Sequence, residues 1–423
     1  MTTQQQRLEI VREVGTLVSA KHVDPSNVSA DYAKWQDSLQ DKAKVFCGGS
    51  DKEFEAGLSA ALASLGTSHL SLLLPGSSSI PPTFALNAGL MKVDSGSAHQ
   101  WMFRDVVEDG PAHRAGIKDG EILVAVDGQD VQPPQPVLFT LGRQYSLTLG
   151  RHDGSEVRSI TVELPEGSTK GRPPGLEPKA VTFRDLGNGI AHLRVSYFPG
   201  AVGYGFIKDL NTAIEKLTIA GARRFVLDLR GNPGGGLGSL RLMSLLASAP
   251  TPVGYSLTRK AIDKRWKRDQ LPRIDRIPVG KLEQIMMAVR FKVLNRDRSI
   301  SMATERLPRS PLAGATVLLV NSHTRSAAEM IAAFVKEHKL APIVGEKTPG
   351  EVLGAVNFRL PHGYRLRMPI ATWQTWAGGV IEGVGVEPDH PVPLEPQSLS
   401  AGTDTQLQKA IALCSEVSIA HRA

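Results

Sequence analysis

FVLDLRGNPGGG, residues 225–236, is an apolar strand pattern that runs into three consecutive glycines. A strand ending this way exposes backbone N–H groups that can hold an anion. A nucleotide phosphate is a poor candidate, because neither G-x-x-x-x-G-K-[ST] nor G-x-G-x-x-G occurs here. The plainer alternative is a loop into a helix whose glycines only permit close packing. Working outward, IAHLRVSYF (190–198) reads as a strand and FIKDLNTAIEKLTIAG (206–221) as a helix ending at Gly221. GGLGSLRLMSLLASA (235–249) reads as a helix and TVLLVN (316–321) as a strand. SAAEMIAAFVKEH (326–338) then reads as a helix and APIVGE (341–346) as a strand. This alternation predicts an α/β layer with parallel strand pairs over 178–395.

The second chemical segment is VLLVNSHTRSAAEMIAAFVKEHKLAPIVGEKTPG, residues 317–350. Ser326 stands between a strand and a helix N-terminus, where the dipole and the first N–H groups can stabilise an oxyanion. A lone serine in that place is more often an N-cap.

Upstream, the spacing of Leu8, Ile10, Val11, Val14 and Leu17, and of Phe54, Leu58, Ala61 and Leu62, predicts helices over about 5–65. GTSHLSLLLP (66–75) follows as a turn and an apolar run. Residues 84–165 change to short β-rich runs around DVVEDGPAHRAGIKDGEILVAVDGQDV (105–131). Pro111 suits a first helical turn, Gly116 a left-handed C-terminal position, and Asp127-Gly128 a tight turn. GSTKGRPPG (167–175) reads as a linker and DTQLQKAIALC as a final amphipathic helix.

Composition bounds the reading. The 423 residues, 41% apolar and 22% charged, suffice for two or three globular domains. Cys47 and Cys414 lie far apart and make no metal-ligand spacing. The first twenty residues carry charges throughout, so no signal peptide is expected. No run of about 18 apolar residues suggests a membrane span. The net charge of +7 is concentrated between Arg259 and Arg309, with acidic residues interleaved and few aromatics, which disfavours nucleic acid. The expected location is cytoplasmic, with no membrane or nucleic-acid partner.

These segments together resemble the tail-specific, or C-terminal processing, serine peptidases. DLRGNPGG is a hallmark of that family, as is a serine three residues before a glutamate, here Ser326 and Glu329, with G-E-x-T-x-G (345–350) downstream. The 105–131 piece resembles the PDZ domain inserted in such enzymes. The implied fold is α/β and multi-domain: an N-terminal helical bundle, a β-rich PDZ domain, and a crotonase-like, ClpP-like α/β catalytic core. The domains expected are 1–75, carrying Ser68 and His69; the PDZ domain 84–165; a linker 166–177; the catalytic domain 178–395 with a basic insertion at 258–310; and a C-terminal helix in 396–423.

The resemblance implies Ser326 as nucleophile, with an oxyanion hole from Ala327 and from Gly234 or Gly235. It also implies a groove between a strand and a helix for an added peptide strand, with Asn87, Ala88, Gly89 and Leu90 in place of the carboxylate-binding loop. Many family members place a lysine base directly after T-x-G, where this chain has Glu351. The tricorn core peptidase, a relative, instead uses a Ser-His-Ser-Glu tetrad. Leu65-Gly66-Thr67-Ser68-His69 matches its L-x-T-S-H segment, and Glu382, before G-V-x-P-D, matches its glutamate. His69 would then take the proton from Ser326, and Ser68 would relay a hydrogen bond from Glu382 to the other ring nitrogen. His323 and Lys347 are rival bases.

The expected function is a serine endopeptidase acting on protein or peptide substrates, with no cofactor and no metal. Assembly into homo-oligomers stays open. The alternative is a catalytically inactive PDZ scaffold on the same fold, which the missing lysine favours.

Overall fold

The computed structural model describes residues 2–24, 31–75, 79–95, 98–166, 179–278, 280–289 and 299–416. Nearly all of the expected linker, parts of the basic insertion and the last seven residues lie outside them. The chain forms two compact units: Met1–Ser77 with Ala249–Arg306 and Gly350–Gly385, and Ser78–Ser248 with Leu307–Pro349 and Val386–Ala423. Among the described residues, no helix is long and apolar enough to cross a membrane.

In the first unit, helices Gln4–Lys21, Tyr32–Phe46 and Asp51–Ala63 start at Thr3, Asp31 and Ser50, each of which caps its helix through a side-chain oxygen. Such caps satisfy N–H groups that the first helical turn leaves unpaired. The apolar faces bury Ile10, Val14, Leu39, Phe54 and Leu58 against Leu360, Tyr364, Leu366 and Met368. Those last residues come from the hairpin Gly354–Arg359 and Arg365–Ala371, to which Ser71–Leu73 adds as an antiparallel strand. The N-terminal helical layer therefore closes its core on a sheet built nearly 300 residues later. A second sheet, ordered Arg273–Ile274, Ile300–Ala303, Pro252–Ser256, Gln374–Thr375, takes in part of the basic stretch.

The second unit contains two sheets of six strands. One runs Gly89–Ser95, Ala98–Arg104, Ile122–Val126, Gln144–Gly150, Arg158–Glu163, with Gln129–Asp130 beside Ile122–Val126. Phe103, Leu123, Phe139, Leu147 and Val162 fill its core. Pro111 opens the single turn Pro111–Arg114, and Gly116 takes φ +79°, as its position predicts. Among the described residues its helices are two single turns, Pro82–Ala85 and Pro111–Arg114, and the expected strand–helix groove has only these for a helical wall. Gly89–Ser95 ends the sheet, with one paired edge among the described residues.

The other sheet is ordered Val181–Gly187, Ile190–Val195, Arg224–Asp228, Thr316–Val320, Ile343–Gly345, His390–Pro391. Its first pair is antiparallel and the next four pairings are parallel. Every residue of Thr316–Val320 is buried, as a central parallel strand requires. Helices include Tyr204–Ile219, Gly238–Leu246, Ala327–Glu337 and Thr405–Glu416. Because Arg224–Asp228 and Thr316–Val320 are parallel neighbours, the loops at their carboxyl ends emerge side by side. Open α/β sheets bind ligands at such ends.

Candidate active site

Those two loops are the glycine loop and the Ser326 loop. Ser326 has φ +53° and ψ −122°, a left-handed conformation that is costly for a residue with a Cβ. Its N–H donates to the buried Glu329 carboxylate at 3.2 Å. A Cβ on Gly234 would lie 2.6 Å from Ser326 Cβ and 2.9 Å from the Ala327 nitrogen, so only glycine fits there. Gly235 has φ +137°, and a Cβ there would meet Phe198 O at 2.0 Å. Phe198 also brackets the loop through its own N–H to Gly234 O and its O to Gly236 N–H, both 3.0 Å.

The amides around Ser326 differ. Gly234 N–H donates to Asn232 Oδ1 at 2.8 Å, so that group is already committed. Among the described residues, the Gly235 and Ala327 N–H groups have no hydrogen-bond partner. Asn232, fully buried, also donates through Nδ2 to Val195 O (2.8 Å) and accepts through its backbone O from Arg325 N–H (2.8 Å). It ties the glycine loop to the serine loop. The sequence reading passed over it although it lies inside the quoted motif.

Asn321 makes a second tie. Its Oδ1 accepts from Gly231 N–H (3.1 Å) and His323 N–H (3.0 Å), and its Nδ2 lies 3.0 Å from both Asp105 oxygens. Asp105 follows directly on strand Ala98–Arg104. Burial opposes its ionisation, but Arg104 and His323 beside it hold its carboxyl well below the usual range. Arg104 Nε lies 3.2 Å from Asp105 and Nη2 3.1 Å from Glu346, which accepts from Ser322 N–H. His323 Nδ1 faces Asp105 Oδ2 at 3.3 Å and sits where a Cβ on Gly89 would be, 2.7 Å away. That ring is engaged with the PDZ-like domain. The other rival base, Lys347, is 54% exposed and pairs with Glu387 at 3.5 Å. Of this cluster only Glu346 falls in a motif read from the sequence, G-E-x-T-x-G; its partners Arg104, Asp105 and Asn321 are brought to it by the fold.

At the start of the glycine loop, Arg230 bridges Asp228 (2.7 Å) and Asp404 (2.8 Å), and His192 Nε2 lies 3.0 Å from Asp228. Burial again opposes ionisation of Asp228, yet Arg230 and His192 keep it well below the usual range. Asp404 accepts from Leu407 N–H, so the last helix anchors the loop's first turn.

The remaining expected residues lie in the first unit. Ser68 Oγ is 2.8 Å from His69 Nδ1, and His69 has φ +60°. Glu382, 7% exposed, accepts from Ser68 N–H at 2.9 Å and from Val352 N–H at 2.9 Å. It therefore grips the main chain of the Ser68–His69 segment, where the sequence reading placed it against the Ser68 hydroxyl. A Cβ on Gly350, the last glycine of G-E-x-T-x-G, would lie 2.6 Å from Gly385 N and 2.7 Å from Ile381 O, so this glycine seats the turn that carries Glu382. Of the segment in place of the carboxylate-binding loop, Asn87 has φ +53° and its O accepts from Val107 N–H (2.9 Å). Ala88 is buried, and Gly89 and Leu90 open the edge strand.

Comparison with known proteins gives this fold a class. The chain is 19% identical to a photosystem II D1 C-terminal processing protease of known structure, with a TM-score of 0.55 over 99% of this chain and 98% of that one, which shows a shared fold. It is 27% identical over 317 residues to a carboxyl-terminal-processing protease of Picosynechococcus sp., covering 72% of this chain and 64% of the relative. It is 28% identical over 306 residues to tricorn protease homolog 1 of Streptomyces coelicolor, covering 70% and 24% respectively. The chain thus spans less than two thirds of the length of the Picosynechococcus and Streptomyces relatives. Residues 189–392 match peptidase family S41 and residues 102–148 match a PDZ domain. The chain thus contains a peptidase family S41 domain and a PDZ domain.

Proposed function

We propose that this chain is a serine endopeptidase in which Ser326 attacks the peptide carbonyl. The observation that carries this reading is the approach of Gly234 to Ser326, closer than any Cβ would permit, with Ser326 held in a strained backbone conformation. Strain of this kind collects at catalytic positions. The serine hydroxyl is a poor nucleophile unless a base takes its proton. We assign that role to His69 Nε2, because Nδ1 is occupied by Ser68 Oγ and the segment is fixed by Glu382. The ring would protonate as the tetrahedral intermediate forms and return its proton to the leaving amine. Water would then release the acyl group by the reverse sequence. The Gly235 and Ala327 N–H groups would hold the oxyanion, each donor being worth roughly 3 kcal/mol. Gly234 makes the close approach possible, with its own amide turned to Asn232.

The substrate class is protein or peptide, docked in extended form on the Gly89–Ser95 edge with its chain end near Asn87–Leu90. An open edge strand offers main-chain hydrogen bonds to any added strand. Cys47 and Cys414 are both unpaired thiols, which suits a reducing compartment, and we assign the chain to the cytoplasm.

The test is cleavage of a diverse peptide mixture, read by mass spectrometry, for wild type, Ser326→Ala and His69→Ala. Cleavage lost in both variants supports the reading. Loss with Ser326→Ala alone removes His69 as the base. Peptide binding without cleavage by the wild type would instead support a scaffold, the reading that Glu351 in place of the family's lysine favours.

A further inference from the structure

His22 follows the Gln4–Lys21 helix, with its N–H bonded to Val18 O at 3.0 Å, and it is fully buried. Its ring is held at both ends. Nδ1 lies 2.8 Å from the Tyr32 hydroxyl and Nε2 2.9 Å from the Thr67 hydroxyl. Burial pushes its pKa down to about 4, and Arg259, stacked 4.5 Å over the Tyr32 ring, acts in the same direction. The ring is therefore neutral at ordinary pH, and one nitrogen donates while the other accepts. A leucine would fill this space without the cost of burying a polar ring. A fully satisfied buried network, by contrast, fixes one geometry of the groups it joins.

The group it joins is Thr67, the residue before Ser68 and His69. The turn from Gly66 to His69 has no regular secondary structure, and φ is +68° at Gly66 and +60° at His69. Left-handed backbone at a histidine persists only where its surroundings over-determine it. Glu382 fixes the Ser68 amide, and Ser68 Oγ fixes the ring's Nδ1. His22 supplies the restraint one residue earlier, on a side chain rather than on the main chain.

We infer that His22 is a positioning residue for the general base: through Thr67, and backed by Tyr32, it holds the Gly66–His69 turn so that the His69 ring keeps the orientation proton transfer needs. The inference rests on the reading of His69 as base. Misplacing a base by a fraction of an ångström slows the reaction without touching substrate binding.

The experiment measures the second-order rate at which a fluorophosphonate labels Ser326 in the full chain, as a function of pH, below the melting temperature of every variant. Thr67→Val keeps the shape and removes the hydroxyl; His22→Leu removes the ring. Each is expected to slow labelling by about 10- to 100-fold and to displace the apparent pKa of the rate profile. The double variant should be no slower than the slower single one, because both break one network. Thr67→Ser, which restores the hydroxyl, should keep the wild-type rate. A purely structural role would lower the melting temperature and leave rate and profile unchanged. Wild-type labelling by Thr67→Val overturns the inference, and Thr67→Val decides the matter if His22→Leu does not fold. His69→Ala is labelled alongside. If it reacts like wild type, the base assignment fails; if it is slow while Thr67→Val is normal, only the role of His22 fails.

Discussion

Asn321 Nδ2 lies 3.0 Å from both carboxylate oxygens of Asp105, and both residues are buried. Asp105 leaves the last residue of a PDZ strand, and Asn321 follows the central strand of the catalytic sheet. Through Asn321 Oδ1 the same contact reaches Gly231 of the glycine loop and His323 of the serine loop. One side-chain amide thus joins the PDZ domain to both the glycine loop and the serine loop.

Asn321→Leu leaves Asp105 ionised with fewer donors and frees the Gly231 and His323 amides. A buried polar group stripped of its partner costs about 1–3 kcal/mol. Urea unfolding should report a loss of that size, accompanied by slower fluorophosphonate labelling of Ser326. Unchanged labelling in a destabilised protein would reduce Asn321 to a packing role.

Gly234→Ala should abolish reactivity while the fold persists. The added Cβ would sit 2.6 Å from Ser326 Cβ, and φ at this position is +93°. Labelling of Ser326 should fall on the order of 100-fold with little change in circular dichroism. Wild-type labelling would show that the glycine loop does not constrain the nucleophile.

The pH dependence of stability follows from His22. Its folded pKa, about 4, lies below the ordinary histidine value of 6.5. Between those two values the unfolded chain holds a proton there and the folded chain does not, so stability falls as pH falls through that window. The full contribution, about 3 kcal/mol, is present above pH 6.5 and gone below pH 4. Asp119 works the other way over part of this range, because burial pushes its carboxyl up to about 6. Asp105 and Asp228 lose their contribution only at lower pH, since their folded values are depressed. Comparing the urea midpoints of wild type and His22→Leu at pH 7 and pH 4.5 isolates the His22 share. The variant should have the shallower dependence, and parallel curves would contradict the prediction.

Cys414 is fully buried, and burial pushes its thiol up to about 11; Cys47 is buried and raised as well. The thiolate is the reactive form. Neither cysteine should react with a maleimide in the native protein at pH 8, and both should react in urea. Rapid native labelling of Cys414 would mean that the last helix opens readily.

Periodicity and turn chemistry were enough to read the parallel α/β layer, the β-rich insert with its Pro111 turn, and Ser326 at a strand–helix junction. Each depends on short stretches whose physics is local: alternation along a strand, an apolar face on a helix, glycine where φ must be positive. DLRGNPGG and G-T-S-H were legible through their resemblance to family motifs. The partners of those segments were not. Arg104 and Asp105 are chain neighbours, but Asn321 and Glu346 come from two other places, and which buried polar groups satisfy one another depends on how strands are ordered in space. The same holds for Gly234, whose amide turns to Asn232, and for Glu382, which binds a main-chain N–H. The N-terminal helices needed the hairpin at 354–371 to close their core, because amphipathic helices specify that a face is buried but not by what. Sequence alone, by local pattern and family resemblance, determined which groups are candidates for the chemistry. Only tertiary structure decided which groups hold them, because satisfying a buried hydrogen bond requires partners that local sequence does not name.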